Sequence, residues 1–339
     1  MNSGRYRHLV GHLLHHASAS WLFIFVFLFL ACKDDDEINI NGLNQLIQEL
    51  ASQPQRADVY LQNHPLPMGL GHLRVLAIGN SFTEDAVYFV DDLLDSAHID
   101  ASTYSVYFVS HASASLEHWC KVAEENQPLT LTYTAGKRMP IESGTLPEIL
   151  AQDWDVITLQ QKSDDAINYD SFNPWLRQLI DLALQYCPNP NVTLAWQTAW
   201  SYNDTFMTEY SNYACWQLII LAMLKMRAND GIDLIIPVGT AIQNARNTSL
   251  NSESQLTRDG WHLDYGIGRY IAACTWVEAL FAPVYGFSVI GNLAMPVMGE
   301  FPPTRYNPTP VTEENRSIAQ HCAVAAVANP FGITRINEN

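Results

Sequence analysis

The sequence predicts an α/β protein built around a five-stranded, mainly parallel sheet that lies between two layers of helices. From about Leu73 to Leu280, short apolar or β-branched runs bounded by turn residues alternate with longer amphipathic segments. This alternation is typical of βαβ units around a parallel sheet. The length of the region suits a single hydrophobic core. We therefore expect one three-layer α/β/α domain over residues 73–339, which includes a C-terminal extension.

Apolar runs of strand length and amphipathic runs of helix length give the individual elements. The strands are expected at Arg74 to Ile78, Tyr104 to Val109, Val156 to Leu159, Val192 to Trp196 and Leu234 to Val238. The helices are expected at Glu84 to Ala97, Pro174 to Tyr186, Tyr213 to Ala228, Arg269 to Leu280 and Glu313 to Val327. Between these elements, the segment LTLTYTAGKRM is predicted to form a small hairpin beside the sheet.

The N-terminus has the pattern of an export signal. Arg5 and Arg7 precede the apolar run from Trp21 to Leu30, which is short for a membrane span and suits the h-region of a signal peptide better than a core helix. In LFLACKDDDE, Cys32 follows the small Ala31, a pattern that resembles a bacterial lipobox. We therefore expect residues 1–31 to be a lipoprotein signal peptide and Cys32 to be the lipidated first residue of the mature chain.

Residues 32–72 are predicted to be an acidic tether and linker that contains a short helical stretch. The acidic run from Asp34 to Glu37 resembles the export signal of surface-displayed outer-membrane lipoproteins, and a solvated linker is the equal alternative. The expected location is therefore the outer membrane, reached through a lipid anchor on Cys32, on either the periplasmic or the outer face. The oligomeric state is left open.

The charge balance excludes one class of partner. The chain has 35 acidic and 18 basic residues, a formal net charge of −17. Removal of the signal peptide takes away Arg5 and Arg7 but no acidic residue, so the mature chain is still more acidic. Such a chain lacks the basic surface that nucleic acids require. The cysteines after Cys32 form no CxxC pair and no Cys/His metal spacing, so no metal site is expected. Most of them are expected to be buried thiols, and a disulfide is left open.

A serine follows the first predicted strand in the stretch AIGNSFTED, residues 77–85. In an open parallel sheet, ligands bind beyond the carboxyl ends of the strands. A serine hydroxyl is a poor nucleophile without a base, so this position alone favours Ser81 or Thr83 as an ordinary helix cap. Gly79 is expected to make the tight turn that exposes Ser81, and Asn80 to hold that turn.

A second segment, LTRDGWHLDYGIGRYIAA, favours a chemical role for Ser81. Asp259 and His262 are three residues apart on a glycine-containing turn, a spacing that brings a carboxylate against an imidazole. Buried together, such a pair fixes the imidazole tautomer and stabilises the imidazolium that forms when His262 takes the serine proton. Asp264 is a rival partner that the following helix can claim as a cap.

Both segments carry a family resemblance. VLAIGNSFTED resembles the first block of the SGNH (GDSL-like) hydrolase superfamily, and DGWHL resembles its closing block. GNSF in place of GDS, together with IPVGTAIQNAR, is similar to a branch found in bacterial lipoproteins. The resemblance covers about Leu73 to Leu280 and implies a flavodoxin-like α/β/α fold. It also implies Ser81 as nucleophile, His262 as base and Asp259 as the orienting acid, with no metal or organic cofactor.

The resemblance also implies donors for an oxyanion hole. Superfamily members use the N–H of the nucleophile, a glycine N–H after the second strand and an asparagine amide after the third. Here these would be the Ser81 N–H, the N–H of Ser113 or Ala112 in the glycine-free stretch SHASASLEHW, and the side chain of Gln160 in WDVITLQQKSDD. Gln161 is the adjacent alternative to Gln160, and both amides can instead satisfy loop backbone groups.

The candidates for substrate binding are polar or aromatic residues predicted near the same edge of the sheet, namely Gln161, Gln243, Asn244, Arg246 and Trp261. Arg246 can pair with a substrate carboxylate or with one of the many acidic residues. Three further tryptophans are predicted near the mouth, where core or rim packing is the commoner role: Trp119, Trp196 and Trp200.

The function implied is a serine esterase that works through an acyl-enzyme on Ser81, with an acetyl or other short acyl group on a carbohydrate as the substrate. This substrate rests on analogy with the superfamily. A lipase or thioesterase is one alternative and would require a long apolar groove. A catalytically inactive, glycan-binding lipoprotein on the same fold is another, favoured by the missing glycines around Ser113.

Overall fold

The computed structural model describes residues 40–338 except 55, 57, 58, 135–138, 207, 208 and 298–307. The predicted signal peptide, Cys32 and the acidic run from Asp34 to Glu37 lie outside the described residues. Within the described part of the chain, no helix has the length and apolar character needed to cross a bilayer.

A seven-stranded sheet forms the centre of the fold, in the order β4-β3-β2-β1-β5-β6-β7. Strands β2, β1, β5, β6 and β7 are parallel, while β3 and β4 form an antiparallel hairpin that pairs with β2. The strands are β1 (Leu73–Gly79), β2 (Tyr104–Ser110), β3 (Leu129–Tyr133), β4 (Met139–Gly144), β5 (Val156–Leu159), β6 (Thr193–Gln197) and β7 (Leu234–Ile236). The expected parallel strands and hairpin are therefore present, but the five-strand prediction omits the hairpin from the sheet.

Helices connect the parallel strands, which is consistent with a three-layer α/β/α arrangement. They are α1 (Ile40–Ser52), α2 (Ser81–Ala86), α3 (Val90–Ser96), α4 (Leu116–Glu124), α5 (Leu146–Leu150), α6 (Trp175–Tyr186), α7 (Asn212–Asp230), α8 (Val238–Ala245), α9 (Ile267–Trp276), α10 (Ala282–Tyr285) and α11 (Glu313–Ala328). A π-helical turn over Val277–Phe281 joins α9 to α10. Single 3₁₀ turns occupy Ala101–Thr103 and Tyr169–Phe172.

Two of the predicted elements, one helix and one strand, differ in their bounds from the structure. The helix expected over Glu84 to Ala97 is two helices, α2 and α3, and α2 already begins at Ser81. The strand expected to reach Val238 ends at Ile236 because Pro237 has no backbone N–H to donate, and α8 begins directly afterwards. Every residue of α8 is buried, and its polar side chains Gln243 and Asn244 bond to neighbouring segments of the protein.

The compact unit extends further towards the N-terminus than the sequence pattern indicates, because it begins at Asn44. The Asn44 side chain accepts hydrogen bonds from Tyr213 Oη at 3.0 Å and from Gln217 Nε2 at 2.8 Å, both in the first turns of α7. Further along, Leu61 N donates to the Asp230 carbonyl at 2.9 Å, and Asn63 Oδ1 accepts from Leu194 N at 2.9 Å. This segment of the predicted linker is therefore attached to the domain.

The five cysteines in the described part of the chain are buried free thiols, as expected. They are Cys120, Cys187, Cys215, Cys274 and Cys322. Helix α9 is buried along its whole length and packs in the core, which fixes the backbone that follows the DGWHL segment.

Candidate active site

The candidate site lies where β1 and β5 end side by side. The five parallel strands, renumbered 1 to 5 in chain order, lie in the order 2-1-3-4-5 across the sheet. The chain therefore changes direction across the sheet between β1 and β5. A crevice for ligands is expected at such a switch point, beyond the carboxyl ends of the strands. Ser81 begins α2 two residues after β1 ends at Gly79, and Gln160 directly follows β5.

Ser81, His262 and Asp259 form a continuous line of hydrogen bonds. His262 Nε2 lies 2.8 Å from Ser81 Oγ, and His262 Nδ1 lies 2.6 Å from Asp259 Oδ2. The three side chains predicted to act together are thus brought into contact, although Ser81 and His262 are 181 residues apart in the chain. Because one ring nitrogen faces the carboxylate and the other faces the hydroxyl, this arrangement suits proton transfer from Ser81 to His262.

The Asp259 carboxylate is held by the loop that carries it. Its Oδ1 accepts from the backbone N–H groups of His262 at 2.8 Å and Trp261 at 3.1 Å. Partial burial raises the carboxyl pKa, but the hydrogen bonds from the His262 ring and these backbone groups outweigh it and lower the pKa to about 2. Ionised Asp259 therefore stabilises the fold above about pH 4, and this contribution is lost as the pH falls through about 2.

The Asp259–His262 pair is only partly buried. The side chains of Asp259 and His262 are 43% and 20% exposed. Asp264, the rival partner, instead accepts from Gly266 N at 2.6 Å and from Thr309 N at 2.9 Å. Asp264 thus holds backbone groups that precede α9, whose N-cap is Gly266, and Asp259 is the carboxylate bound to His262.

Residues 257–263 form a closed turn, which we call the His loop. A β-bridge pairs Thr257 with Leu263, and Arg258 N donates to the His262 carbonyl at 2.9 Å. At its tip Gly260 has φ +98°, a left-handed conformation that favours glycine, and the Phe206 ring packs directly against it. The loop is therefore a fixed element rather than an open connection.

Asn80 holds the turn that presents Ser81, as expected. It is the N-cap of α2: its Oδ1 accepts from Phe82 N at 2.9 Å and from Gln160 Nε2 at 2.7 Å. Its Nδ2 donates to the Ala114 carbonyl at 2.9 Å, which ties the turn to the loop after β2. The cap residue is thus Asn80, and the alternative reading of Ser81 or Thr83 as the cap is wrong.

Gly79 is required for space rather than for a left-handed backbone. A Cβ atom at Gly79 would lie 2.0 Å from Thr83 Oγ1 and 3.0 Å from Gln160 Cδ. The tight contact exists because Thr83 Oγ1 donates to Gln160 Oε1 at 2.5 Å directly beside the strand end. Any larger residue at this position would push apart the side chains beneath the Ser81 turn.

Gln160 and Gln161 have different surroundings. Gln160 is buried, and its Oε1 also accepts from Gln197 Nε2 at 2.7 Å, so its side chain belongs to the network beneath the Ser81 turn. Gln161 Oε1 accepts from Leu116 N at 3.0 Å and its Nε2 donates to the Ser171 carbonyl at 3.0 Å. Gln161 therefore satisfies backbone groups, which argues against its being a substrate ligand. An oxyanion role for Gln160 stays a prediction.

Ser113 lies exposed in the loop after β2 with φ 56°, in the left-handed region. This is the position where the resemblance expects a glycine, and the structure gives the physical reason: the loop has a conformation that glycine adopts at no steric cost. The loop continues into α4, whose N-cap is Ser115.

Replacing Ser113 with glycine is expected to raise the free energy of unfolding by about 1 kcal/mol, because it removes the penalty of a side chain in the left-handed region. Urea denaturation of the two proteins measures this. Glycine at His98, which is exposed and has a positive φ of 59° between α3 and β2, is the matched control for the backbone effect. No stabilisation in either variant would contradict the assignment of strain.

Three of the predicted substrate-binding residues do not line the site. Gln243, Asn244 and Arg246 are buried. Asn244 accepts from Thr334 N at 2.8 Å, and Gln243 Nε2 donates to Asn212 Oδ1 at 2.9 Å. These contacts join α8 to neighbouring segments. Because the sequence analysis predicted no helix here, it could not show that these residues lie on a helix buried on all sides.

Arg246 is occupied by protein groups. Its guanidinium donates to the Ser201 hydroxyl and carbonyl at 2.6 and 2.8 Å and to the Gln255 carbonyl at 3.2 Å. Burial lowers the Arg246 pKa to about 10, which still leaves it charged at neutral pH. Arg246 therefore braces the loop after β6 against the segment that leads into the His loop, and its predicted pairing with a substrate carboxylate is not supported.

An aromatic surface flanks His262. Trp261 is half-buried, with its ring centroid 5.1 Å from that of His262 and 5.1 Å from that of Phe206. Phe206 is 46% exposed and also contacts Tyr202. Trp261 was predicted from the sequence and Phe206 was not, although Phe206 is the second aromatic, after Tyr202, in the otherwise polar stretch SYNDTF. The other tryptophans predicted near the mouth, Trp119, Trp196 and Trp200, are buried.

Among the described residues, no three or more His, Cys, Asp or Glu side chains are grouped so as to hold a metal ion. His118 instead contacts His111, with Nε2 of His118 2.8 Å from Nδ1 of His111. Burial and the neighbouring His111 lower the His118 pKa, which favours the neutral ring.

Comparison with known proteins places the site within a family. The family model described as "Domain of unknown function (DUF4886)" matches residues 74–288, a range that contains Ser81, Asp259 and His262. A solved DUF4886 family protein from Bacteroides uniformis ATCC 8492 is 28% identical, with a TM-score of 0.65, over 78% of this chain and 98% of that chain. An acetyl xylan esterase structure is 14% identical, with a TM-score of 0.39, over 60% of this chain and 98% of that chain. None of the curated proteins searched matches. With well over half of its length matched by the family model, the chain belongs to the DUF4886 family.

Proposed function

We propose that the protein is a serine esterase in which Ser81 attacks a carboxylic ester. The observation that carries the proposal is the unbroken contact from Ser81 Oγ through both ring nitrogens of His262 to the Asp259 carboxylate. A hydroxyl becomes a useful nucleophile when a base is in hydrogen-bond contact and a third group orients that base. Both conditions are met at the carboxyl edge of the sheet.

In the first half-reaction, Ser81 Oγ bonds to the ester carbonyl carbon and its proton passes to His262 Nε2. The bond to the leaving alkoxide then breaks, and His262 returns the proton to that oxygen, so the alcohol departs and an acyl-enzyme remains. In the second half, water repeats the sequence: His262 accepts its proton, the acid is released and Ser81 regains its proton. Ionised Asp259 stabilises the imidazolium in both halves.

The oxyanion of each tetrahedral intermediate needs donors, and loss of one such donor typically costs 10²–10³-fold in kcat. The proposed donors are the backbone N–H groups of Ser81 and Ser113; the amide of Gln160, the third donor that the resemblance implies, donates to Asn80 Oδ1 beneath the turn. The anchoring of the Ser113 loop to the Ser81 turn, through Asn80 Nδ2 and the Ala114 carbonyl, supports the first two.

The sheet topology supports assignment to the SGNH (GDSL-like) hydrolase superfamily. The parallel-strand order 2-1-3-4-5 is the flavodoxin-like one, which that resemblance implies. The nucleophile turn after β1 and the Asp–His turn before α9 occupy the two ends that the superfamily blocks require. This assignment goes beyond membership of the DUF4886 family.

The decisive experiment combines turnover with covalent trapping. Purified protein should hydrolyse p-nitrophenyl acetate, and a fluorophosphonate should inactivate it stoichiometrically by bonding phosphorus to Ser81 Oγ with loss of fluoride. Mass spectrometry of the tryptic peptide locates the adduct, and Ser81→Ala is the matched protein without the nucleophile. Absence of both turnover and adduct across several acyl lengths, with glycan binding retained, would instead favour an inactive binding protein.

The proposed substrate is an acetyl or other short acyl ester of a carbohydrate. His262 protonates the leaving oxygen, so the alcohol part of the ester must lie on the His262 side of Ser81, where Phe206 and Trp261 form the aromatic surface. Aromatic faces with exposed edges stack on the apolar faces of sugar rings and need no charge for binding. The acidic chain is compatible with a neutral sugar.

Phe206→Ala is expected to raise KM for an acetylated xylo-oligosaccharide about fivefold, since it removes a stacking contact of about 1 kcal/mol. Hydrolysis of ethyl acetate, whose alcohol has no ring, should be unchanged. Tyr186→Ala is the matched control, because Tyr186 is 37% exposed and lies at the end of α6, before β6 begins. An equal rise in KM for both substrates, or no rise for either, would refute a sugar-binding role of the aromatic surface.

We also propose that the protein is a bacterial lipoprotein anchored in the outer membrane through a lipid on Cys32. The proposal depends on the sequence LFLACKDDDE, which lies outside the described residues. Replacement of Cys32 by serine should move the protein from the membrane fraction to the soluble fraction of cells. Continued membrane retention of the variant would overturn the anchor.

A further inference from the structure

A buried carboxylate lies one helical turn beyond Ser81 on α2. Asp85 is only 1% exposed, and both of its oxygens are occupied. Oδ1 accepts from Arg269 Nε at 2.8 Å and Arg269 Nη2 at 2.7 Å, while Oδ2 accepts from Arg258 Nη1 at 2.8 Å and Leu263 N at 3.1 Å. Four donors from three residues therefore meet on one carboxylate.

These donors come from both sides of the catalytic pair. Arg258 directly precedes Asp259, and Leu263 directly follows His262, so Asp85 contacts the two residues that flank the pair in the His loop. Arg258 Nη1 also donates to the Leu263 carbonyl at 2.5 Å, which closes the loop around the carboxylate. Arg269 adds a contact from the buried helix α9.

The cost of burying these charges indicates a role other than stability. Two guanidinium groups and a carboxylate lose most of their hydration here, with Arg258 and Arg269 side chains only 14% and 8% exposed. Replacing such a cluster by apolar residues is often neutral or stabilising, so a buried ionic cluster is weak evidence for stability. The cluster instead forms a rigid link between the helix of Ser81 and the loop of His262. Asp85 is 173 residues from Arg258 and 184 residues from Arg269 in the chain.

We propose that Asp85 is a positioning residue, which holds α2 and the His loop in the register that places Ser81 Oγ 2.8 Å from His262 Nε2. The inference rests on the proposed esterase function and deepens it. Small misplacements of reacting groups, near 1 Å, cost about 10²-fold in rate. Asp85 touches no reacting atom, so its effect is on the geometry of attack and not on substrate affinity.

The predicted variant is Asp85→Asn, which keeps the shape of the side chain but turns one acceptor oxygen into a donor that faces an arginine or a backbone N–H. At temperatures where the variant is fully folded, kcat for p-nitrophenyl acetate should fall about 10²-fold with little change in KM. The rate of phosphonate bonding to Ser81 should fall by the same factor, because that reaction also needs His262 in place.

Asp230→Asn is the matched control for loss of a buried carboxylate. Asp230 is also buried, bonded by Tyr169 Oη at 2.8 Å, but it ends α7 before β7 begins, at the opposite edge of the sheet from Ser81. It should lower thermal stability without changing the rate of phosphonate bonding. If Asp85→Asn does not fold, Arg258→Gln decides the question, since the contacts of Asp85 with Arg269 and with Leu263 N remain and only the Arg258 link to the His loop is lost.

The outcomes separate the two proposals. Slow phosphonate bonding in Asp85→Asn or Arg258→Gln, with the wild-type rate in Asp230→Asn, supports the positioning role. Wild-type rates in the folded Asp85 and Arg258 variants, or an equal loss in Asp230→Asn, overturn that role while the esterase function stands. Failure of the unmodified protein to form an adduct at Ser81 overturns the esterase function itself.

Discussion

Replacing His262 with alanine is expected to lower kcat/KM for ester hydrolysis by about 10⁴-fold or more, the loss seen when the base of a serine triad is removed. The physical reason is that Ser81 Oγ then has no acceptor for its proton at 2.8 Å. Stopped-flow or long-incubation assays with p-nitrophenyl acetate measure the loss, and added imidazole should restore part of the rate by filling the vacated space.

His321→Ala is the control for this variant. His321 is exposed on α11, where its Nδ1 contacts the Ser317 carbonyl at 2.8 Å, so its removal should leave the rate unchanged. Retention of wild-type activity by His262→Ala, with the fold intact, would exclude the triad mechanism. Loss of activity in both variants would point to a general effect of removing a histidine.

Asp259→Asn is expected to lower kcat about 10³–10⁴-fold while KM stays nearly constant. An amide nitrogen facing His262 Nδ1 donates where the carboxylate accepted, so the ring is pushed towards the tautomer whose Nε2 carries hydrogen and cannot accept the serine proton. The carboxamide oxygen can still accept from the His262 and Trp261 N–H groups, so the His loop should keep its shape.

Asp264→Asn is the matched control, because Asp264 lies in the next turn and its carboxylate accepts from the backbone N–H groups of Gly266 and Thr309. It should affect stability more than kcat. A fall in kcat for Asp259→Asn no larger than that for Asp264→Asn would mean that water can take over the role of the Asp259 carboxylate, whose side chain is 43% exposed.

The parallel core was predictable because its signals are local. Strands such as Val156–Leu159 are short buried runs, and helices such as α6 have one apolar face. The hairpin was recognised, but its membership of the sheet depends on pairing between Tyr107 and Tyr133, which no local pattern reveals. Helix α8 was missed because it begins directly after β7 and has only eight residues, too few for a clear helical period.

The predicted contact among Ser81, Asp259 and His262 depended on two short motifs, each with a fixed spacing on a turn. Side-chain direction was less predictable: at the end of β5, Gln160 points beneath the Ser81 turn and Gln161 towards the loop that starts α4. Asp85 was missed for a different reason. Its significance comes entirely from arginines that lie far along the chain and meet it only in the fold.

The attachment of Asn44 to the first turns of α7 limits how far the domain can move from a bilayer. If Cys32 carries the lipid, 11 residues separate that anchor from the first docked side chain, so the two are at most about 40 Å apart along the chain. The predicted linker, which extends to residue 72, would have allowed more than three times that reach. The proposed esterase would therefore act only within a few nanometres of the membrane surface, and polymeric substrates would have to come to that surface to be deacylated.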